Sequence, residues 1–250
     1  MSETTRHALV TGASTGIGYA TAARLARAGW KVTATARRRE RLQALREDCG
    51  CDIHPADLTD PDAVGALVAA AEQAGPIDAL INVAGGALGV DTIADADLGR
   101  WQTMYDRNVL ATLTLTQAVL PAMRERGRGD LVFLTSTAAH DTYPGGGGYV
   151  AAKHAERIIP NTLRQELNGE NIRIIEIAPG MVKTEEFSLN RLGDQAKADA
   201  VYAGVAAPLT ADDIAHTIEF ALTVPEHVNI DSMIIRPVAQ ATNTLVHRTP

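Results

Sequence analysis

An apolar run, His7 to Thr11, leads into the turn Thr11-Gly12-Ala13-Ser14-Thr15-Gly16-Ile17-Gly18, and residues with the apolar spacing of a helix follow. A helix that begins in this way exposes unpaired backbone N–H groups and a positive dipole end, which bind anions such as a pyrophosphate. Glycine lets the backbone approach such a group closely. The spacing G-x-x-x-G-x-G differs from the common dinucleotide-binding spacing G-x-G-x-x-G, so a tight turn without a ligand is the alternative.

Short apolar runs alternate with helical periodicity along the rest of the chain, which is typical of repeated βαβ units. Runs that are apolar on both faces favour a parallel sheet covered by helices on each side. We therefore predict an α/β fold, a doubly wound parallel sheet of the Rossmann-like type, in one domain over residues 1–250. The irregular segment at about 180–210 is predicted to be a substrate lid, and about 236–250 a C-terminal tail. The predicted strands are His7 to Thr11, Lys31 to Ala36, Ala79 to Ile81, Leu131 to Thr135, Ile172 to Ile177 and Met233 to Ile235.

Composition excludes several classes of protein. With 46% hydrophobic and 21% charged residues, the 250-residue chain is neither disordered nor a disulfide-built miniprotein. Its 23 basic and 30 acidic residues give a net charge of −7, and no basic tail suggests a nucleic-acid partner. No apolar stretch is long enough for a membrane span, so we expect a cytoplasmic protein. Cys49 and Cys51 lack the second pair that a zinc site needs, so we expect free thiols and no metal.

Two arginines follow the second predicted strand. At this point of a dinucleotide-binding fold, a carboxylate would bond the adenosine ribose hydroxyl, whereas an arginine accommodates a 2′-phosphate. Ala36 leaves no carboxylate at the strand end, so Arg37 and Arg38 favour NADP(H) as the cofactor. The alternative is a basic helix start without a ligand, to which Arg39 and Arg41 belong more plausibly.

Tyr149 and Lys153 are four positions apart, a spacing that brings two side chains to one face of a helix with Cβ atoms roughly 5–6 Å apart. A phenol with the ordinary pKa of about 10 is a poor base near neutrality, and a neighbouring cation lowers that pKa. Ser136 follows a predicted strand, where open α/β sheets bind ligands, and it could hold a substrate oxygen beside the phenol. Asn108 lies in a helical stretch. There are alternatives without a catalytic role: Tyr149 and Lys153 could lie on an exposed helix face, and Asn108 could simply bond nearby backbone.

Motifs along nearly the whole chain resemble, in type and in order, those of the short-chain dehydrogenase/reductase family. The turn at 11–18 resembles the family's TGxxxGIG, Asp57-Leu58 its adenine-side pair, Asn82-Val83-Ala84-Gly85 its NNAG, and Pro179-Gly180-Met181-Val182-Lys183-Thr184 its PGxVxT. The resemblance implies a catalytic tetrad of Asn108, Ser136, Tyr149 and Lys153. It implies a cofactor site of Gly12, Ser14, Thr15, Gly16, Ile17, Gly18, Arg37, Arg38, Asp57, Leu58, Asn82, Ala84, Gly85, Tyr149, Lys153, Pro179, Gly180, Val182 and Thr184.

By the same resemblance, Tyr149 exchanges a proton with the substrate oxygen and Asn108 holds a water that connects Lys153 to solvent. Val83 departs from the family pattern, since a second asparagine is expected there, and we expect altered local packing rather than lost chemistry. His140 and Tyr143 follow Ser136 closely and are candidates for contact with substrate, although a surface histidine is the more common case.

The lid residues Glu186-Phe187-Ser188 and the tail, with Asn243, His247 and Arg248, resemble the branch of NADP-dependent 3-hydroxy acid and serine 3-dehydrogenases. This implies an NADP(H)-dependent oxidoreductase acting on a secondary alcohol or carbonyl, or on a small 3-hydroxy acid or semialdehyde, and a homotetramer. Lys183 is the charged residue nearest in sequence for a substrate carboxylate, with a solvent-facing lysine as the alternative. A clavulanate-type reductase of bulkier aldehydes, a lyase or epimerase, and a non-catalytic NADP-binding regulator are the other hypotheses.

Overall fold

A seven-stranded sheet forms the centre of the computed structural model, which describes residues 5–249. All neighbouring strands of this sheet run parallel, in the order β3-β2-β1-β4-β5-β6-β9. The sheet strands are β1 (His7–Val10), β2 (Lys31–Ala34), β3 (Asp52–Ile53), β4 (Ala79–Asn82), β5 (Gly129–Leu134), β6 (Ile172–Pro179) and β9 (Ser232–Ile235); a separate pair is formed by β7 (Val182–Lys183) and β8 (Leu209–Thr210). The predicted α/β doubly wound sheet is confirmed.

Helices connect the strands and cover both faces of the sheet. They are α1 (Gly16–Arg27), α2 (Arg39–Cys49), α3 (Pro61–Ala74), α4 (Leu98–Tyr105), a π-helical turn (Asp106–Leu110), α5 (Ala111–Arg126), a 3₁₀ turn (Thr137–Ala139), α6 (Gly147–Glu166), α7 (Phe187–Leu192), α8 (Gln195–Ala200) and α9 (Ala211–Thr223). No helix within residues 5–249 is both long and apolar enough to cross a membrane.

The two faces of β1 show how the sheet is buried. Ala8 and Val10 belong to one hydrophobic core, which also contains Leu25 of α1 and Ile214 of α9, whereas Leu9 belongs to the other. Successive side chains of a strand point to opposite faces, so a fully apolar strand needs a cover on each side. The strand order reverses direction between β1 and β4, and ligands bind at such a point in open α/β sheets.

The structure contains elements that the sequence pattern did not predict. The edge strand β3 has two residues, too few for a visible periodicity. The segment at about 180–210 is not irregular throughout, because it contains β7, α7 and α8. These helices have six residues each, which is shorter than two helical turns and leaves no clear apolar repeat. The predicted domain of residues 1–250 includes residues 1–4 and 250, which lie outside the described part.

Candidate active site

The glycine turn after β1 packs closely against the segment after β4. Gly12 has φ +65°, and a Cβ there would lie 3.0 Å from the backbone nitrogen of Ala84. A Cβ on Gly18 would lie 2.4 Å from the carbonyl oxygen of Gly12, so α1 can start this close to the strand only with glycine. Thr11 Oγ1 accepts hydrogen bonds from the backbone nitrogens of Val83 at 2.8 Å and Ala84 at 2.9 Å. The turn therefore leaves an open cradle of backbone at the N-terminus of α1.

A cavity of about 860 Å³ extends from this cradle along the carboxyl ends of the central strands. It is lined by every residue of the predicted cofactor and catalytic sets except Asn82 and Asn108. Asn82 is buried at the end of β4, and its Nδ2 atom has no hydrogen-bond partner among the described residues. Val83, at the departure from the family motif, lines the cavity and packs against the core that contains Ala8 and Val10.

Tyr149 and Lys153 both lie within α6, one turn apart, and both are almost completely buried. The Lys153 Nζ atom lies 5.9 Å from the centroid of the Tyr149 ring. It donates hydrogen bonds to the backbone oxygen of Leu134 at 2.9 Å and to Glu156 Oε2 at 2.6 Å. Ser136 follows β5, caps the 3₁₀ turn by accepting from Ala138 N at 3.1 Å, and lines the same cavity. Three of the four predicted catalytic side chains are thus gathered in one cavity.

Burial raises the pKa of the Tyr149 phenol, while Lys153 and the Ser136 side chain act in the opposite direction. Lys153 therefore acts to lower the pKa of Tyr149, as expected. The loss of hydration has the larger effect, because an anion is poorly solvated in the interior. Burial acts to lower the pKa of Lys153, but the Glu156 carboxylate and the ionised form of Tyr149 together outweigh it and raise that pKa overall. The ammonium form of Lys153 is thus favoured in the interior.

Asn108 occupies the π-helical turn between α4 and α5 and is completely buried. Its Nδ2 atom donates to the backbone oxygens of Met104 at 2.7 Å and Gly86 at 3.0 Å, and its Oδ1 atom accepts from Gly86 N at 3.0 Å. A Cβ on Gly85 would lie 2.4 Å from Oδ1, so glycine is needed there. Asn108 therefore fixes the segment after β4 beside Lys153 and lies behind the cavity wall.

The two arginines after β2 have different surroundings. Arg38 donates to both carboxylate oxygens of Glu186, at 2.8 and 2.7 Å, and to Ser14 Oγ at 3.0 Å. These bonds hold the pKa of Glu186 below its usual range. Arg37 is exposed at the cavity and forms no ion pair among the described residues. A carboxylate from the residue before α7 thus lies against one of the two cations predicted to bind a phosphate.

Helix α7 places an aromatic ring and a cation beside Tyr149. Phe187 meets Tyr149 edge to face, with ring centroids 5.8 Å apart. The guanidinium carbon of Arg191 lies 5.5 Å from the Tyr143 ring centroid and 6.0 Å from that of Tyr149. Lys183 is exposed and does not line the cavity, so the solvent-facing alternative is correct for Lys183. Arg191, in α7, is a cation near the phenol.

The C-terminal segment contacts the segment at about 180–210 within the same chain. Gln240 Oε1 accepts from Met181 N at 2.7 Å, and Arg248 donates to the backbone oxygen of Val201 at 3.0 Å. Asn243 Oδ1 accepts from Thr137 Oγ1 at 2.6 Å, beside the Ser136 turn.

Sequence reasoning assigned no site role to Glu156, Glu186 or Arg191. Glu156 is one helical turn after Lys153, and this spacing could have revealed it. Glu186 and Arg191 lie far from the phenol and the arginines in sequence, and no local pattern connects them. His140 does not line the cavity; its Nε2 atom lies 3.2 Å from Glu176 Oε1.

Comparison with known proteins adds an independent line of evidence. A family model described as short chain dehydrogenase matches residues 6–193. Serine 3-dehydrogenase of Rhizobium radiobacter is 42% identical over 236 residues, which are 93% of this chain and 94% of that protein. NADP-dependent 3-hydroxy acid dehydrogenase of Salmonella typhi is 40% identical over 246 residues, which are 96% of this chain and 99% of that protein.

A solved structure agrees with the fold as a whole. The closed form of a serine dehydrogenase complexed with NADP⁺ matches with a TM-score of 0.92 at 38% identity and covers 97% of this chain and 100% of that one. The family inferred from the ordered motifs is confirmed: this chain is an oxidoreductase that belongs to the short-chain dehydrogenase family.

Proposed function

We propose that this protein is an NADP(H)-dependent dehydrogenase or reductase that acts on small 3-hydroxy acids and on their aldehyde or keto partners. The observation that carries the proposal is the position of Arg191, a cation at the mouth of the cavity that contains the Tyr149 phenol. The names of two relatives, serine 3-dehydrogenase and NADP-dependent 3-hydroxy acid dehydrogenase, point to the same substrate class.

The cavity has the features that a dinucleotide requires. The backbone cradle at Gly12 and Gly18 suits a pyrophosphate at the N-terminus of α1. Arg37 and Arg38 are the cations for a 2′-phosphate. Asp57, which accepts from Thr59 N and Thr59 Oγ1, is fixed at the adenine end. The remaining predicted residues after β4 and β6 would line the nicotinamide half. When bound, the nicotinamide supplies or accepts the hydride.

The side chains around the phenol have separate roles in proton transfer and in positioning the substrate. Tyr149 exchanges a proton with the substrate oxygen, as an acid in reduction and as a base in oxidation. Ser136 orients that oxygen, and the Lys153 ammonium favours the phenolate. Asn108 keeps the segment beside Lys153 in place. Phe187 covers the phenol and reduces its contact with water.

A small acid substrate needs a cation close to the reacting carbon. Arginine has five N–H donors and a geometry that suits a carboxylate. Arg191 uses some of its donors on the backbone oxygens of Gly89 and Gly145, at 3.2 and 3.4 Å, and these contacts direct the guanidinium towards the cavity. The remaining donors can bind a carboxylate, and they leave the carbonyl or hydroxyl group to Ser136 and Tyr149.

The test is a panel of hydroxy acids and neutral alcohols of similar size, each assayed by nicotinamide absorbance with NADP⁺ and with NAD⁺. The panel includes L-serine and 3-hydroxypropionate. Arg191→Met is expected to raise the KM for the acids by about ten- to a hundredfold, the equivalent of one charged hydrogen bond, and to leave neutral alcohols almost unchanged. Lys183→Met is the matched control, because this lid lysine is exposed outside the cavity.

An equal effect of Arg191→Met on acids and neutral alcohols would remove the reason for the acid assignment. A bulky hydrophobic aldehyde is the second candidate substrate, because a cavity of about 860 Å³ has room for it beside the phenol. A hundredfold preference for such an aldehyde over malonic semialdehyde would favour the clavulanate-type alternative. Absence of any nicotinamide-dependent turnover would favour a binding protein without catalysis.

The segment at about 180–210 is proposed to be the substrate lid, held by the tail at about 236–250. We further propose a homotetramer in the cytoplasm. The free thiols of Cys49 and Cys51 suit a reducing compartment. Exposed apolar side chains on α6 and on the π-helical turn, Ile158 and Leu110, suit contacts between subunits.

A further inference from the structure

Glu156 is a buried carboxylate that the proposed chemistry does not use. Its side chain is completely buried in α6, and its Oε2 atom lies 2.6 Å from the Lys153 Nζ atom. Its Oε1 atom has no hydrogen-bond partner among the described residues. Burying an ionised carboxylate destabilises a protein unless the carboxylate is paired, so an apolar residue at this position would favour stability. Its contact with Lys153 therefore needs an explanation.

The Lys153 ammonium has two acceptors, and they fix its position. Leu134 contributes a backbone oxygen from the end of β5 at 2.9 Å, and Glu156 contributes its carboxylate from the next turn of α6. Between them, the ammonium lies 5.9 Å from the Tyr149 ring centroid. Since only Glu156 carries charge, its removal would leave the ammonium in the same neighbourhood but without a counter-charge.

We propose that Glu156 is a positioning residue of the Tyr149–Lys153 pair: its carboxylate holds the Lys153 ammonium in place and partly cancels the positive charge that the Tyr149 phenol experiences. The acid–base strength of Tyr149 is then set by Lys153 and Glu156 together. The catalytic consequence of this inference rests on the proposed function, whereas the electrostatic part concerns the protein alone.

Other ionisable groups face this pair. Tyr143 and Arg191 reach the phenol from the loop before α6 and from the lid, and Arg107 lines the cavity from the π-helical turn. Glu176 of β6 faces Glu156 and acts to raise its pKa. Glu176 has its own partners, Thr135 Oγ1 at 2.7 Å and His140 Nε2 at 3.2 Å. Among these groups, Glu156 is the one in direct contact with the Lys153 ammonium.

The titration behaviour of the pair agrees with this geometry. Burial raises the pKa of Glu156 to about 7, although Lys153 acts to lower it. Glu156 is therefore ionised at the higher pH at which a buried phenol loses its proton. In that state its negative charge raises the pKa of Tyr149. Removing the charge while keeping the shape of the side chain should then favour the phenolate, because the Tyr149 phenolate becomes the counter-charge that keeps Lys153 protonated.

The test is the ionisation of Tyr149 in the full-length protein without added cofactor, followed by the ultraviolet absorbance of tyrosinate. Each protein is titrated with and without the additional change Tyr149→Phe. The difference between the two titrations is the signal of Tyr149, separate from that of the other four tyrosines. We expect Glu156→Gln to lower the pKa of Tyr149 by about one unit or more, the effect of one neighbouring charge. A pKa that stays unchanged or rises would overturn the proposal.

Glu176→Gln is the matched control, because it removes a buried carboxylate that does not contact Lys153. It should shift the pKa of Tyr149 much less than Glu156→Gln does, and an equal shift would mean that the contact with Lys153 is unimportant. If Glu156→Gln does not fold, Glu156→Asp keeps the charge but shortens its reach. Glu156→Asp should lower the pKa of Tyr149 by less than is expected for Glu156→Gln, and an unchanged pKa would count against the proposal.

Activity supplies a second readout. In the direction of alcohol oxidation, the acidic limb of the kcat/KM profile should move to lower pH in Glu156→Gln by the shift that the titration measures. A profile that does not move despite a shifted phenol would overturn the catalytic consequence. Absence of turnover in the unchanged protein, together with a shifted phenol, would contradict the proposed function and leave the electrostatic inference supported.

Discussion

Tyr149 illustrates how neighbouring groups compete at a single residue. Lys153 alone would make the phenol more acidic, as its spacing from Tyr149 suggests, but burial has the larger effect and raises the pKa. Ser136 and Lys153 both favour the phenolate, so they reduce the penalty that the interior imposes. The phenol is thus held mostly protonated near neutrality, which suits an acid in reduction. The oxidised cofactor's positive charge would favour the base form in the other direction.

Tyr149→Phe is expected to reduce turnover by a factor of about 10² to 10⁴, because the proton donor is lost while the ring still packs against Phe187. NADPH binding, measured by fluorescence titration, should remain. Tyr19→Phe is a suitable control, since that hydroxyl bonds Asp48 at 3.1 Å outside the cavity. If the Tyr149 variant kept more than a tenth of the turnover, the proton would have to come from another group.

At the scale of secondary-structure elements, α7 and the residue before it contact two parts of the cavity. Helix α7 brings Phe187 and Arg191 to the phenol, and Glu186, which directly precedes the helix, binds Arg38 in the other part of the cavity. Tyr202 joins this segment to β7, because its hydroxyl donates to the backbone oxygen of Val182 at 3.0 Å. Residues of one short segment thus lie near both Arg38 and Tyr149.

Glu186→Gln should strengthen the binding of NADPH by about tenfold and leave that of NADH nearly unchanged. The reason is that the Glu186 carboxylate occupies donors of Arg38 that a 2′-phosphate would use, and a charged hydrogen bond is worth about 1.5–3 kcal/mol. Isothermal calorimetry with both cofactors gives the ratio of the two Kd values. Glu185→Gln is the matched control, because the neighbouring carboxylate contacts Arg41 instead. Equal changes for both cofactors would place the phosphate elsewhere.

For the whole molecule, the exposed apolar side chains bear on assembly. Only part of the apolar surface of α6 is exposed, because Ala152 is buried and Ile159 packs against the core under α3 and α5. Ile158 remains 60% exposed, and Leu110 and Leu113 are exposed on the neighbouring π-helical turn and α5. Isolated apolar residues are common at surfaces, whereas a contiguous set favours an interface.

Ile158→Lys is expected to dissociate the proposed homotetramer, because a charge would be buried in the contact between α6 helices. Light scattering should give about four times the 26.5 kDa mass of one chain for the unchanged protein and a smaller mass for the variant. Ile158→Leu keeps the apolar contact and should retain the assembly. A monomer in the unchanged protein at micromolar concentration would rule the tetramer out.

The sequence by itself determined the class of fold, the positions of the main strands along the chain and the family. These properties depend on local patterns: apolar runs such as Leu131 to Thr135, a glycine turn at 12–18, and Tyr149 four residues before Lys153. Each pattern extends over less than about twenty residues, and the physics behind it, backbone sterics and helical periodicity, acts at the same short range.

Only the tertiary structure decided which charges meet. Arg38 binds Glu186, which is 148 residues away in sequence, and the Arg191 guanidinium of α7 lies near the Tyr149 ring. Even the near neighbour Glu156 could not be interpreted from spacing alone, because the consequence of a carboxylate beside Lys153 depends on its complete burial. Electrostatic interactions depend on distance and hydration in the folded state, and both are set by how distant segments pack rather than by local sequence.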